Sequence, residues 1–109
     1  MNSIDYDVVV VGGGVAGASL AALLAESGFS VFVLERETVF RDRVRGEWLA
    51  PWGGVSEVRA CGLEDVLAST HPNPIDKIGN RVGRPRPLTT PEGVASLCFF
   101  HPAAQEALL

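Results

Sequence analysis

The spacing of apolar positions changes character three times within the first 35 residues. Residues 6–11 hold four consecutive valines, Val8 to Val11. An unbroken β-branched run of this kind suits a parallel strand buried on both faces. Gly12, Gly13 and Gly14 then interrupt it. Residues 15–27 are rich in Ala and Leu, with Leu20, Leu23 and Leu24 at helical spacing and Gly28 placed to end a helix. Residues 30–35 form a second short apolar run, Val31, Phe32, Val33 and Leu34, read as another strand. Strand, helix and strand in such close succession predict a right-handed βαβ crossover.

Beyond Glu35 the pattern loosens. Residues 37–46 are polar and read as loop, while 52–60 and 63–69 predict two short helices separated near Gly62. His71, Pro72, Asn73 and Pro74 mark a break. Residues 75–82 alternate weakly, as a strand would, and Pro85, Pro87 and Pro91 oppose regular structure across 84–91. Residues 94–100 are a further strand candidate, and Pro102 at a helix start leads into 103–109. No repeat or low-complexity tract interrupts this order. Two parallel strands with one crossover leave open edges and little buried area. The expectation is therefore a single domain over 1–109, with a βαβ unit in 1–36, forming the N-terminal portion of something larger. A complete small protein with a dimeric or swapped sheet is the alternative.

Composition narrows the picture. A chain of 109 residues, 47% apolar and 20% charged, fits one small soluble domain. Its net charge of -4 gives no global basic field for nucleic acid or an anionic membrane. Arg36, Arg41, Arg43 and Arg45 do gather locally, interspersed with Glu35, Glu37, Asp42 and Glu47. A solvated loop is the plain reading of that run. Cys61 and Cys98 lack metal-ligand or redox-motif spacing, which predicts reduced, buried cysteines and a cytoplasmic setting. Residues 8–25 carry no charge, about the length of a short membrane span. Asp5 and Asp7 precede them where a signal peptide carries positive charge, and the glycines divide the stretch. Two buried elements joined by a turn explain it better than one spanning helix.

The turn itself carries the chemistry. Gly12-Gly13-Gly14-Val15-Ala16-Gly17 fits GxGxxG between a predicted strand and a predicted helix. In that context Gly12 permits the tight turn, Gly14 lets a pyrophosphate approach the backbone, and Gly17 lets the helix pack closely. The free N–H groups of Val15, Ala16 and Gly17 at the helix start, aided by its dipole, would hold phosphate oxygens. Glu35 lies 18 residues after Gly17, at the end of the second strand, placed to accept hydrogen bonds from an adenosine ribose. A carboxylate there repels a 2′-phosphate, which disfavours NADP and leaves NAD and FAD.

With these residues in place, the chain resembles the FAD-dependent oxidoreductases of the aromatic-hydroxylase (group A flavin monooxygenase) superfamily. The likeness rests on DVVVVGGGVAGASLAALLAESGFSVFVLER at 7–36, RVRGEWLAPWGGVSEVRACGLEDVL at 43–67 and FFHPAAQEALL at the end. It implies an α/β, Rossmann-like FAD-binding fold, here an incomplete N-terminal part. It also implies that Gly12, Gly14, Gly17 and Glu35 bind the ADP portion of FAD, with Arg36 beside adenine or ribose. Arg45 matches an arginine that contacts the phosphate or ribityl region. His101 stands where relatives often carry Arg or Gln near the flavin; packing at a helix start is its other use. Trp48 and Trp52 flank a pocket or, more commonly, fill a core.

No residue here qualifies as a catalytic acid, base or nucleophile on spacing grounds, and the family's downstream "GD" segment is not in this chain. The resemblance implies reduction by NAD(P)H and hydroxylation of a small organic substrate by the complete protein, with the flavin supplying the chemistry. A flavin halogenase or a reductase of isoprenoid chains shares the same N-terminal pattern. The competing readings are a non-catalytic nucleotide-binding remnant or subunit, and a fragment of an NAD-dependent dehydrogenase.

Overall fold

The computed structural model describes residues 4–43, 47–79 and 82–109. Strand β1 (Val8–Val11), helix α1 (Val15–Glu26) and strand β2 (Val31–Leu34) follow in the predicted order. The two strands pair in parallel, Val8 opposite Val31 and Val11 opposite Leu34, so α1 is the crossover between them. At the strand starts the Asp7 carboxylate accepts hydrogen bonds from the Ser30 hydroxyl at 2.7 Å and the Ser30 backbone N–H at 2.8 Å. At the far end of α1, Gly28 adopts φ +92, the left-handed conformation that turns the chain back toward the sheet.

Two expectations need correcting. The valine run predicts a strand buried on both faces, yet only Val10 of β1 is buried, with Val9 53% and Val11 82% exposed. Their paired neighbours Phe32 and Leu34 are exposed on the same face. One crossover helix covers one face of a two-stranded sheet, and among the described residues nothing buries the other. In α1, the leucines that mark the helix by their spacing are not its buried face. Ala18 and Ala21 are buried, whereas Leu20 is half exposed. These small side chains sit where α1 meets β2 and the end of the last helix, beside Val31, Val33 and Leu108.

The second half builds a separate small sheet. Strand β3 (Trp48–Leu49) leads into a π-helical turn (Pro51–Val55), then helices α2 (Ser56–Ala60) and α3 (Glu64–Ala68). The two predicted helices are thus present, with Gly62 at φ +69 breaking them apart as expected. Strand β4 (Asn73–Ile75) begins inside the segment predicted to break regular structure and ends on the first residue of the candidate strand. The candidate strand at 75–82 is cut at Asp76 and resumes as β5 (Lys77–Ile78), paired with β6 (Arg86–Pro87). The prolines restrict β6 to two residues. Strand β7 (Ser96–Cys98) lies between β3 and β4, antiparallel to both.

Helix α4 (His101–Leu108) follows β7 after two residues and has Pro102 in its first turn. Its Ala104 joins Leu67 and Phe99 in a core flanked by Leu49, Val58 and Leu97. The same helix packs against α1 as well as α3, so it joins the βαβ unit to the second sheet. Cys61 and Cys98 are unpaired and only half-buried. Among the described residues no helix is long and apolar enough to cross a membrane. The uncharged stretch 8–25 is β1, a glycine turn and α1.

Candidate functional site

The chain leaves β1 through a turn that only glycine can make. Gly12 sits at φ +101 and donates its N–H to the Leu34 carbonyl at 2.7 Å, closing the turn onto the end of β2. A Cβ at Gly17 would fall directly on the Gly12 carbonyl oxygen. Both glycines are therefore required by the protein's own geometry. Gly14 is different. Its φ of -68 suits any residue, and a Cβ built there meets nothing within 4 Å. Packing gives no reason for glycine at 14, and the space a side chain would take opens on a cleft.

That cleft has a volume of about 190 Å³. Gly14 and Glu35 form one side, Arg36, Glu37, Phe40, Arg41 and Arg43 form the loop wall, and His101 and Gln105 of α4 close it. Gly14 is also the N-cap of α1, whose first turn has no acidic residue and no side-chain cap. The first intrahelical bond of this turn runs from the Ala18 N–H to the Gly14 carbonyl at 2.8 Å. The N–H groups of Val15, Ala16 and Gly17 thus precede the hydrogen-bonded ladder, at the positive end of the helix dipole. This is an anion-binding arrangement.

Glu35 has a role that sequence spacing does not disclose. Its Oε2 accepts the Gly13 N–H at 2.6 Å and its Oε1 accepts the Glu37 N–H at 2.8 Å. These bonds, the one from Glu37 first, hold its carboxyl below the ordinary value of 4.5. The carboxylate is therefore ionised at neutral pH and pinned to the glycine turn. Each oxygen retains a lone pair for a further donor, such as a sugar hydroxyl.

Arg36 and Arg43 both reach Glu37 Oε1, at 3.1 and 3.3 Å. Exposed pairs of this kind contribute little stability, and each fork keeps spare donors. Arg45 lies outside the described residues. His101 is the first residue of α4, where the Glu47 carboxylate accepts its backbone N–H at 3.2 Å.

The structure thus brings Gly14, Glu35, Arg36 and His101 to one cleft, with Gly12, Val15, Ala16 and Gly17 forming the turn and helix start. Trp48 and Trp52 fill no core. They are 46% and 65% exposed and meet edge to face with ring centroids 6.4 Å apart. Trp48 instead borders a second hollow with Glu47, His71 and Phe100.

Three further residues shape the cleft without a motif to mark them. Gly13 is the x of the first GxG, where the motif accepts any residue, yet a Cβ there would press against Leu109 and Glu35. Gln105 donates from Nε2 to the Gly13 carbonyl at 3.0 Å. Its one available signal was its place four residues after His101, on the same helix face. Glu47 stands in the charged run as one acid among several, and nothing there points to its partner 54 residues away.

Residues 5–106 match the model of a family described as FAD binding domain. The chain belongs to this FAD binding domain family. Of the two dinucleotides that the motif allows, the family's is FAD. The domain is 48% identical to squalene epoxidase 3 of Arabidopsis thaliana over 63 residues, covering 58% of this chain and 12% of that protein. It is 34% identical to squalene monooxygenase of Rattus norvegicus over 104 residues, covering 89% of this chain and 18% of that one.

Among solved structures, p-nitrophenol 4-monooxygenase PnpA from Pseudomonas putida DLL-E4 superposes with a TM-score of 0.76 at 23% identity, over 99% of this chain and 29% of that one. Aklavinone-11 hydroxylase, solved with FAD and aklavinone, superposes with a TM-score of 0.63 at 22% identity, over 100% of this chain and 24% of that one. These two share the fold. The FAD binding domain described here therefore spans less than a third of each of these four relatives.

Proposed function

We propose that the cleft beside the glycine turn takes the ADP portion of FAD, and that the complete protein is a flavin-dependent monooxygenase or related oxidoreductase. The observation that carries this reading is Gly14: a glycine without a backbone or packing requirement, at the mouth of the cleft and at the N-terminus of α1. Its missing side chain is the room a pyrophosphate needs to reach the backbone. The N–H groups of Val15, Ala16 and Gly17 bind the phosphate oxygens, and Glu35 accepts from the ribose hydroxyls. Arg36 lies along the adenine or ribose, Arg45 serves the phosphate or ribityl region, and His101 stands near the flavin end.

Bound flavin supplies the redox chemistry; this chain binds and orients it. Reduction comes from NAD(P)H, and the substrate is a small organic molecule, as in the relatives named for squalene and p-nitrophenol. The cytoplasm is the proposed setting, consistent with two unpaired cysteines.

The test is side-by-side titration of the purified chain with FAD and NAD, followed by thermal unfolding. At a hundredfold excess over Kd, a ligand stabilises the folded state by about 2.7 kcal/mol, which raises Tm by ~10 °C or more in a domain of this size. FAD is expected to give that shift and a yellow protein. A colourless product with no FAD-dependent shift, or an equal shift with NAD, overturns the reading.

A further inference from the structure

Three consecutive glycines make the turn between β1 and α1, and glycine loses more conformational freedom on ordering than any other residue. A ligand that must order such a turn itself loses affinity for doing so. The structure shows how the protein orders it beforehand. Glu35 accepts the Gly13 N–H at 2.6 Å, which fixes the peptide between Gly12 and Gly13. Gln105 donates to the Gly13 carbonyl at 3.0 Å, which fixes the next peptide, between Gly13 and Gly14. Because a trans peptide is planar and its C=O and N–H point in opposite directions, holding the carbonyl also sets where the Gly14 N–H points. Gln105 is itself held by the fold. Its helix starts on the Glu47 carboxylate and buries Ala104 in the core beside Phe99 and Leu67.

The geometry points to Gln105 as a positioning residue of the phosphate-binding turn: by anchoring the Gly13 carbonyl to α4, it presets the Gly14 N–H for the pyrophosphate. This rests on the proposed FAD site. It adds that the fold reads phosphate through a helix almost ninety residues further along the chain. The amide is needed for this, not the size of the side chain. A carboxylate of the same shape has no hydrogen to donate to a carbonyl, and it would bring a second negative charge beside Glu35.

The experiment compares the full chain with Gln105→Met, Gln105→Glu and Gln105→Lys, using FAD titration followed by flavin fluorescence. ADP and adenosine serve as competitors, with the Tm of each protein measured without ligand. Gln105→Met fills similar space without a donor and is expected to weaken FAD and ADP about 5- to 10-fold, the effect of one lost hydrogen bond. Adenosine, which has no phosphate, should keep its affinity, and Tm without ligand should fall by no more than the several degrees that one hydrogen bond accounts for. Gln105→Glu should lose more for FAD and ADP, and Gln105→Lys, which regains a donor, should recover part of the loss. A Gln105→Met protein that binds ADP as the wild type does overturns the inference. So does one that loses ADP and adenosine equally, since that marks a general structural defect. A wild-type chain that binds neither FAD nor ADP instead overturns the proposed function, so the two failures are separable.

Discussion

At the scale of single residues, glycines in one motif carry different burdens. Gly17 answers to packing, because any side chain there collides with the Gly12 carbonyl. Gly17→Ala should destabilise the chain by roughly 1–3 kcal/mol, read from urea unfolding. Gly14 answers to no contact within the protein. Gly14→Ala should change stability by less than ~1 kcal/mol, since it alters only an N-cap. The same substitution should weaken FAD at least ~10-fold if the ligand occupies the vacated space. Equal effects of the two substitutions on stability would contradict this division.

Two carboxylates tie the ends of the βαβ unit together. The Ser30 hydroxyl and then the Ser30 N–H lower the Asp7 pKa, and the Glu37 and then the Gly13 N–H lower that of Glu35. A depressed folded-state pKa means that the unfolded chain takes up the proton first as pH falls. Both contributions are therefore complete above the ordinary values of 3.8 and 4.5 and fade as pH falls through the lower folded values. Thermal midpoints measured from pH 6 to pH 3 should decline less steeply in Glu35→Gln and Ser30→Ala than in the wild type. Parallel curves would remove these carboxylates from the account.

At the scale of elements, α4 is the piece that assembles the site. It supplies His101 and Gln105 to the cleft and Ala104 to the core, and its first turn is held by Glu47. Glu47→Ala removes the acceptor of the His101 N–H, a loss of about 0.5–2 kcal/mol by analogy with N-cap deletions. Amide exchange at 101–104 should quicken, and FAD affinity should fall, because a loosened α4 holds Gln105 less firmly against the Gly13 carbonyl. The periodicity of 103–109 identifies this helix from sequence. It does not disclose that β7 delivers the helix to α1, nor that Gln105 ends beside Gly13. Those placements depend on pairing between β3, β7 and β4, which are separated by long stretches of chain and carry weak local patterns. The βαβ unit was legible because its three elements follow one another directly along the chain and each has a distinct period.

At the scale of the whole molecule, the chain is extended rather than round. Its radius of gyration is 16.9 Å, against about 13 Å for a compact domain of this length. Its exposed surface includes an apolar sheet face, Val9, Val11, Phe32 and Leu34, with Tyr6 stacked on Phe32 at 5.0 Å. An open patch of this kind attracts apolar partners of any origin. The isolated chain should bind an apolar fluorescent dye, and Val9→Thr combined with Val11→Thr should reduce that signal while keeping β-branched side chains in β1. Unchanged dye binding would place the apolar surface elsewhere.

The sequence by itself determined the βαβ unit, the glycine turn, the acidic residue that ends β2 and the choice of a dinucleotide. Each depends on local conformational preference and short-range spacing, which residue order records directly. Tertiary structure decided that the four-valine strand is open on one face, that alanines rather than leucines bury α1, and that both tryptophans lie at the surface. It also decided that Glu35 and Gln105 grip the middle glycine. Those outcomes depend on which distant segments meet, and the energy of such meetings is shared among many weak contacts that no single motif encodes.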